Sequence, residues 1–343
     1  MKRRSWIALL GVLLIGIFAF TIVGCGGGGE STEGGSEQPE KLVMKFSHVV
    51  AEKTPKGQAA LKFAKLVAEK SGGTMEVQVY PSSSLYTDHE ELEALISNNC
   101  QFIAPSVTKL VKLNPSFQIV DMPFLFKDSQ QAYNFFDSEE GQALLHSLED
   151  KGILGLAWWP NGTKNFTNSV RPLKRPEDFK NLKFRTQSGA LLTAQFEALD
   201  AGAQPMAFSE VYQALQNGTV DGQENTFNNI WTQKYPEVQK YMTVSHHGRL
   251  DYAVLTNTTF WNSLTDEQKQ IITEAMEEAT AYARELADKL NQDAFEKIKE
   301  SGKLEIYTLT DEDRQAFIEA MQPVYDEFGP KIGEDLIEAA RNS

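Results

Sequence analysis

Cysteine is scarce and positive charge is outweighed. Cys25 and Cys100 are the only thiols among 343 residues, and 33 Lys and Arg stand against 47 Asp and Glu, a formal net charge of −14. An excess of acid on this scale argues against nucleic acid as a partner. Also missing are the Gly-x-Ser-x-Gly elbow of an activated serine, the His-Glu-x-x-His of a zinc hydrolase and the Gly-x-x-x-x-Gly-Lys-Ser/Thr cradle for phosphates. No motif therefore points to an enzyme or implies a cofactor. No internal repeat is present, and the many carboxylate pairs lie on helix faces, where they carry no information. His246 and His247 are adjacent on a strand and face opposite ways, a poor arrangement for sharing a metal.

What is present begins with a secretory pattern. Lys2, Arg3 and Arg4 precede an apolar run from Trp6 to Val23, and Ile22-Val23-Gly24-Cys25 resembles a lipoprotein cleavage site. Cleavage would remove three cations and no acid, and acylation of Cys25 with two or more chains would anchor the protein stably. The alternative is an uncleaved anchor, since the run approaches the length that spans a bilayer. In both cases the folded part lies outside the cytoplasm. Gly26 to Glu40 holds no apolar residue and reads as a flexible tether. With Cys25 acylated, Cys100 has no partner and reads as a small buried side chain.

The rest of the chain has ordinary globular composition, with 41% apolar and 23% charged residues overall, and its length suits two lobes rather than one core. Leu42 to His48 and Met75 to Tyr80 read as strands around a helix from Gln58 to Ser71, and another helix starts near Asp88 to Leu92. Phe102 to Ser106 reads as a third strand. A helix from Ser129 to Asp150 and a buried strand from Ile153 to Trp159 lead to Gly162-Thr163-Lys164, where the chain is expected to cross between lobes. Leu250 to Asn257 is the expected return strand. Thr265-Asp266-Glu267-Gln268 is a capping box opening a long helical pattern that continues through Ile298. A short strand from Leu304 to Tyr307 and further helix to about Ala340 close the chain.

The most informative stretch is Asn181 to Asn225. Leu182 and Phe184 alternate with Lys183 and Arg185, a half-buried strand with Arg185 at its end. A helix from Ala190 to Leu199, a strand from Ala203 to Met206, and a helix from Glu210 to Asn217 capped by Ser209 follow. Strand, helix, strand, helix, closed by a turn from Val220 to Asn225, is one half of an open α/β sheet, whose ligands bind at the carboxyl ends of the strands.

Leu182-Lys183-Phe184-Arg185, Pro205 to Leu215, and Gly218-Thr219-Val220-Asp221-Gly222-Gln223-Glu224-Asn225 together resemble the solute-binding proteins of tripartite ATP-independent periplasmic (TRAP) transporters, and among them the DctP-type C4-dicarboxylate binders. The resemblance runs from Lys41 to the C-terminus. Thr226 departs from it, because the family usually has Pro after the Glu-Asn pair.

The resemblance implies an α/β, two-lobed, class II type periplasmic-binding fold with hinge crossovers and one long helix across both lobes. It suggests a leader at 1–24, a lipidated tether at 25–40, a first lobe from 41–160 plus about 249–285, and a second from 161–248 plus about 286–343. The implied function is capture of a small organic acid by hinge closure and its delivery to TRAP membrane subunits. A C4-dicarboxylate fits first; a monocarboxylate or 2-oxo acid, and a sensor kinase as partner, are the alternatives. The family's carboxylate-binding arginine falls on Arg185, where a guanidinium fork matches a carboxylate. Lys164 falls where a second cation would meet a second carboxylate, and Asn225 on the pocket asparagine, donating through its amide while its carbonyl accepts from a ligand hydroxyl. His48 and Ser106 match first-lobe positions near ligand, and Phe208 and Phe227 are candidate apolar walls.

Overall fold

The computed structural model describes residues 41–343. The leader, the lipidation site Cys25 and the tether lie outside the described residues. Nine strands form one continuous mixed sheet: β1 Leu42–Ser47, β2 Met75–Tyr80, β3 Phe102–Ile103, β4 Ile153–Asn168, β5 Lys183–Thr186, β6 Gly202–Pro205, β7 Gly222–Asn225, β8 Tyr241–Asn257 and β9 Glu305–Thr308. The order is β2-β1-β3-β8-β4-β7-β5-β6, with β9 beside β8. β1, β2 and β3 run parallel at one end, and β5, β6 and β7 run parallel at the other. Between them the antiparallel pair β4 and β8 runs through both lobes.

These central strands are longer than the sequence pattern suggests. β4 has 16 residues and β8 has 17. The pattern predicts a short apolar strand next to an irregular crossover in each case, because Asn161 to Asn168 and Met242 to Arg249 are rich in polar residues. Those polar side chains are nevertheless mostly buried, many bonded to one another across the sheet, so the strand continues where alternation fails. The ladder shifts register at Gly155/Ala157, Pro160/Gly162 and Lys164/Phe166. Such irregularities twist and bend a strand pair, and here they fall where it passes from one lobe to the other.

Other differences are local. The expected helix from Ser129 to Asp150 is two helices, Ser129–Asp137 and Glu139–His146, divided at Ser138, whose hydroxyl caps the second by accepting from Gly141 N at 3.2 Å. Gly141 permits this break, since a Cβ there would sit 2.1 Å from Phe135 O. β3 ends at Ile103, and Ser106 pairs only through an isolated bridge to Tyr252. Ser209 does not cap a helix. It lies inside a 3-10 turn, Phe208–Glu210, and Glu210 Oε2 instead accepts from Ala207 N at 3.2 Å.

The long helix runs Asp266–Ser301, 36 residues. Its capping box forms as the sequence indicates: Gln268 N donates to Thr265 Oγ1 at 3.2 Å and Thr265 N donates to Gln268 Oε1 at 3.0 Å. Ile272, Ala275, Met276, Ala279 and Ala283 pack with Phe46, Phe63 and Trp159 of the first lobe. Ala294 and Ile298 pack with Ile230, Met242 and Val244 of the second. One apolar stripe thus serves both lobes. The C-terminal helices, expected in the second lobe, do not belong wholly to it. Phe317 packs with Phe166 and Phe179, whereas Gln131 Nε2 donates to Ala340 O at 3.0 Å on the first lobe's side.

Asn291 of the long helix ties the crossover together. Its Nδ2 donates to Asn161 O at 2.6 Å, and its Oδ1 accepts from Asn228 N at 3.1 Å. Gly162 lies alongside at φ +132°, and a Cβ there would come 2.7 Å from Asn291 Nδ2. Gly162→Ala is therefore expected to cost about 1–3 kcal/mol, combining backbone strain with a displaced amide. Urea denaturation that left the midpoint unchanged would show that Asn291 yields freely.

Candidate functional site

Strand ends from both lobes converge on one cleft, about 380 Å³ of non-protein space counting the part open to solvent. The first lobe contributes Val49, Val50, Asp88, Glu91, Ser106 and Lys109. The second contributes Arg185, Gln187, Phe208, Asn225 and Asn229, while Leu250 and Tyr252 come from the through-running β8. The lobes meet beside it, where Thr108 Oγ1 donates to Ser188 O at 2.6 Å.

Arg185 is 1% exposed. Its polar bonds within the described residues are to one acceptor, Met206 O, which takes Nε at 3.3 Å and Nη2 at 2.9 Å. The guanidinium lies 5.9 Å from the Phe208 ring. Burial works against its charge and lowers its pKa from the ordinary value, with more distant anions offsetting part of that cost. A guanidinium has five N–H donors, so several remain for a ligand on a wall of this cavity. β5 places it there because Leu182 and Phe184 face the core and the strand stops at Thr186.

Asn225 ends β7, paired with Asn165 of β4. Its Oδ1 already accepts from Asn229 Nδ2 at 2.8 Å and from Thr226 N at 3.1 Å. The expectation that this carbonyl takes a ligand hydroxyl is corrected by those bonds; the amide N–H groups are what it has to give. Thr226 N is one of the donors to that carbonyl, making a bond that a Pro in its place could not make.

Three expected contacts do not line the cavity. Lys164 is fully buried, and its Nζ donates to Glu224 Oε1 at 2.7 Å. Glu224 Oε2 in turn meets His247 Nε2 at 2.6 Å, and His247 Nδ1 meets Ser245 Oγ at 2.7 Å. Burial alone would raise the Glu224 carboxyl, but Lys164 and the bond from His247 bring it down to about 2. His247 is itself held below its ordinary value by burial, which fits a neutral ring donating from Nε2 and accepting from Ser245. Lys164 is thus committed to an internal anion, and the lysine on the cavity wall is Lys109, 2.9 Å from Asp88 Oδ2. His48 is buried behind Val49, edge-on to Phe46, with neither ring nitrogen bonded, and burial lowers its pKa to about 3. Phe227 stacks on Phe295 at 4.5 Å in the second lobe's core. Ser106 and Phe208 do line the cavity.

Sequence reasoning missed Lys109, Asp88 and Glu91. Each lies near a helix or turn start and looks like a solvated charge. Their one legible signal was position, just after first-lobe strands, where the sheet's carboxyl ends lie. Among the described residues no group of His, Cys, Asp and Glu could hold a metal ion, and no helix is long and apolar enough to cross a membrane.

Residues 46–331 match the family model described as bacterial extracellular solute-binding protein, family 7, DctP. The chain belongs to this family. The C4-dicarboxylate-binding periplasmic protein DctP of Shewanella loihica is 47% identical over 298 residues, covering 87% of this chain and 88% of the relative. A TRAP periplasmic solute-binding protein from Shewanella oneidensis, solved with bound succinate, superposes with a TM-score of 0.87 at 43% identity, covering 88% of this chain and 99% of that one. Another from Pseudomonas aeruginosa PAO1, with bound L-malate, gives 0.81 at 38% identity over 83% and 99%. The DctP-family fold accounts for the two lobes, the paired crossover strands and the long shared helix. As a family member the protein is an extracytoplasmic solute-binding protein.

Proposed function

We propose that this protein captures a C4-dicarboxylate such as succinate, fumarate or malate and hands it to TRAP membrane subunits without altering it chemically. The observation that carries this reading is the Arg185 guanidinium, buried on the cavity wall with a single carbonyl as its polar partner. Burying a charge without a counterion is costly, and a ligand carboxylate would relieve that cost. Arg185 holds one carboxylate by its fork, Asn225 adds an amide donor, Ser106 a hydroxyl, and Phe208 an apolar face. Lys109 on the opposite wall meets the second carboxylate, in competition with Asp88. The ligand thereby bridges the lobes, and only interactions that the closed form makes and the open form lacks can shift the population toward closure. Acylated Cys25 would keep the protein at the outer face of the membrane, beside its transporter.

Succinate at about 100 times its dissociation constant should stabilise the native state by about 2.7 kcal/mol, visible as a rise in melting temperature. A screen of succinate, fumarate, malate, lactate and pyruvate tests the class directly. Stabilisation by lactate or pyruvate alone would replace the dicarboxylate with a monocarboxylate, and no stabilisation by any acid would remove the reading.

A further inference from the structure

The cavity built to hold an anion also contains two acids. Asp88 is accounted for by Lys109, 2.9 Å from its Oδ2. Glu91 is not accounted for. It is 1% exposed, it lines the same cavity as Arg185, and among the described residues neither of its oxygens has a hydrogen-bond partner. An ionised carboxylate in that position would be desolvated, unsupported, and set against the incoming ligand. A neutral carboxyl would instead supply an O–H donor to a site that must satisfy two ligand carboxylates.

The charge balance gives the same answer. Arg185 and Lys109 are the cations of the wall, and Lys56 lies just behind it, its Nζ donating to Ala104 O at 2.7 Å and sitting 3.6 Å from the centre of the Tyr252 ring. Three cations balance Asp88 and a dianion only if Glu91 carries no charge.

We propose that the site takes up its dicarboxylate together with one proton, held on Glu91, whose neutral carboxyl donates a hydrogen bond to the ligand. This rests on the dicarboxylate reading of the same cavity. The only bond formed is the O–H on Glu91, and the proton comes from bulk water.

Of the surrounding groups, Lys56 titrates in the same range as Glu91. Burial, offset in part by Lys56 and Lys109 and reinforced by Asp88, raises the Glu91 pKa to about 8. Burial lowers Lys56 to about 8, and its ammonium, bonded to Ala104 O behind the wall, does not face the ligand; Glu91→Gln separates the two groups. His48, adjacent to Lys56, is lowered to about 3 and stays neutral, as does Cys100, which burial raises to about 11. Burial raises the Tyr252 hydroxyl above its ordinary value too, so it does not ionise near neutrality. A dianion beside Glu91 raises its pKa further. Glu91 binds a proton more tightly in the loaded state, so affinity is highest below pH 8 and falls as pH rises through it.

The test is calorimetric titration of the full-length protein with succinate, at pH 6.5 in phosphate and in imidazole and at pH 8.5 in borate and in Tris, the two buffers of each pair differing in ionisation enthalpy. The expected result is uptake of a substantial fraction of a proton per succinate at pH 8.5 and almost none at 6.5, with several-fold weaker binding at the higher pH. Glu91→Gln should lose the uptake and the pH dependence together. Binding with no proton uptake at either pH overturns the proposal while leaving the dicarboxylate reading intact. Undiminished uptake in Glu91→Gln assigns the proton elsewhere and overturns it too. The wild-type measurement decides the matter if that variant does not fold, and a complete lack of binding heat removes this proposal and the reading beneath it.

Discussion

Replacing Arg185 by alanine is expected to weaken succinate binding by about ten- to a hundredfold, because charge-assisted hydrogen bonds contribute roughly 1.5–3 kcal/mol each and 1.4 kcal/mol is tenfold in affinity. The loss includes the cost of leaving the ligand carboxylate desolvated opposite Phe208. Arg185→Lys should recover only part of it. An ammonium keeps the charge but cannot present two parallel donors while also bonding Met206 O. The fold should survive either change, since Arg185 has no ion-pair partner within the described residues whose charge would be stranded. Titration calorimetry showing Arg185→Ala at wild-type affinity would end the assignment of the guanidinium to the ligand.

Lys164→Met has the opposite character, a large effect on stability in the absence of ligand. It would strand the Glu224 carboxylate, 2% exposed, with only the neutral His247 ring as partner. Removing one member of a buried ion pair typically costs about 3–5 kcal/mol, and that loss is expected in urea denaturation. Glu224→Gln added to Lys164→Met should return part of it, because no carboxylate then remains unpaired. The same pair has a pH signature. The Glu224 carboxyl is depressed in the folded state to about 2, so its contribution is complete above the ordinary carboxylate range and is lost as pH falls toward 2. A single variant as stable as wild type would mean that water reaches Glu224.

The two lysines show why the site was only partly legible. Lys164 sits in a turn-like Gly-Thr-Lys sequence, and in one dimension nothing separates a lysine that meets ligand from one that meets Glu224 sixty residues later. Their pairing depends on β4 lying beside β7 in a register that sets Asn165 opposite Asn225, a non-local arrangement with no local pattern. Lys109 looks like surface charge until the first lobe's strand ends are brought against the second lobe's. Glu91 carries no signal beyond its place after a strand, because an acid is expected at a helix start and its burial comes from the tertiary fold.

Arg185 and Asn225 stood out through the family resemblance: each lies at or next to the end of a short strand, but a strand-end Arg or a turn Asn has no local mark that sets it against a ligand. The chain's periodicity determined β1, β2, β5 and β6 and the long helix with its capping box, since alternation and helical spacing are local consequences of which face is buried; β7, four buried residues without alternation, reads as a turn in one dimension. Only the tertiary structure decided that the polar halves of β4 and β8 are strands, that the C-terminal helices touch both lobes, and which charges face the cavity. Those outcomes depend on partners distant in sequence, and for a buried polar group it is the partner, more than its own identity, that determines whether it costs stability or confers function.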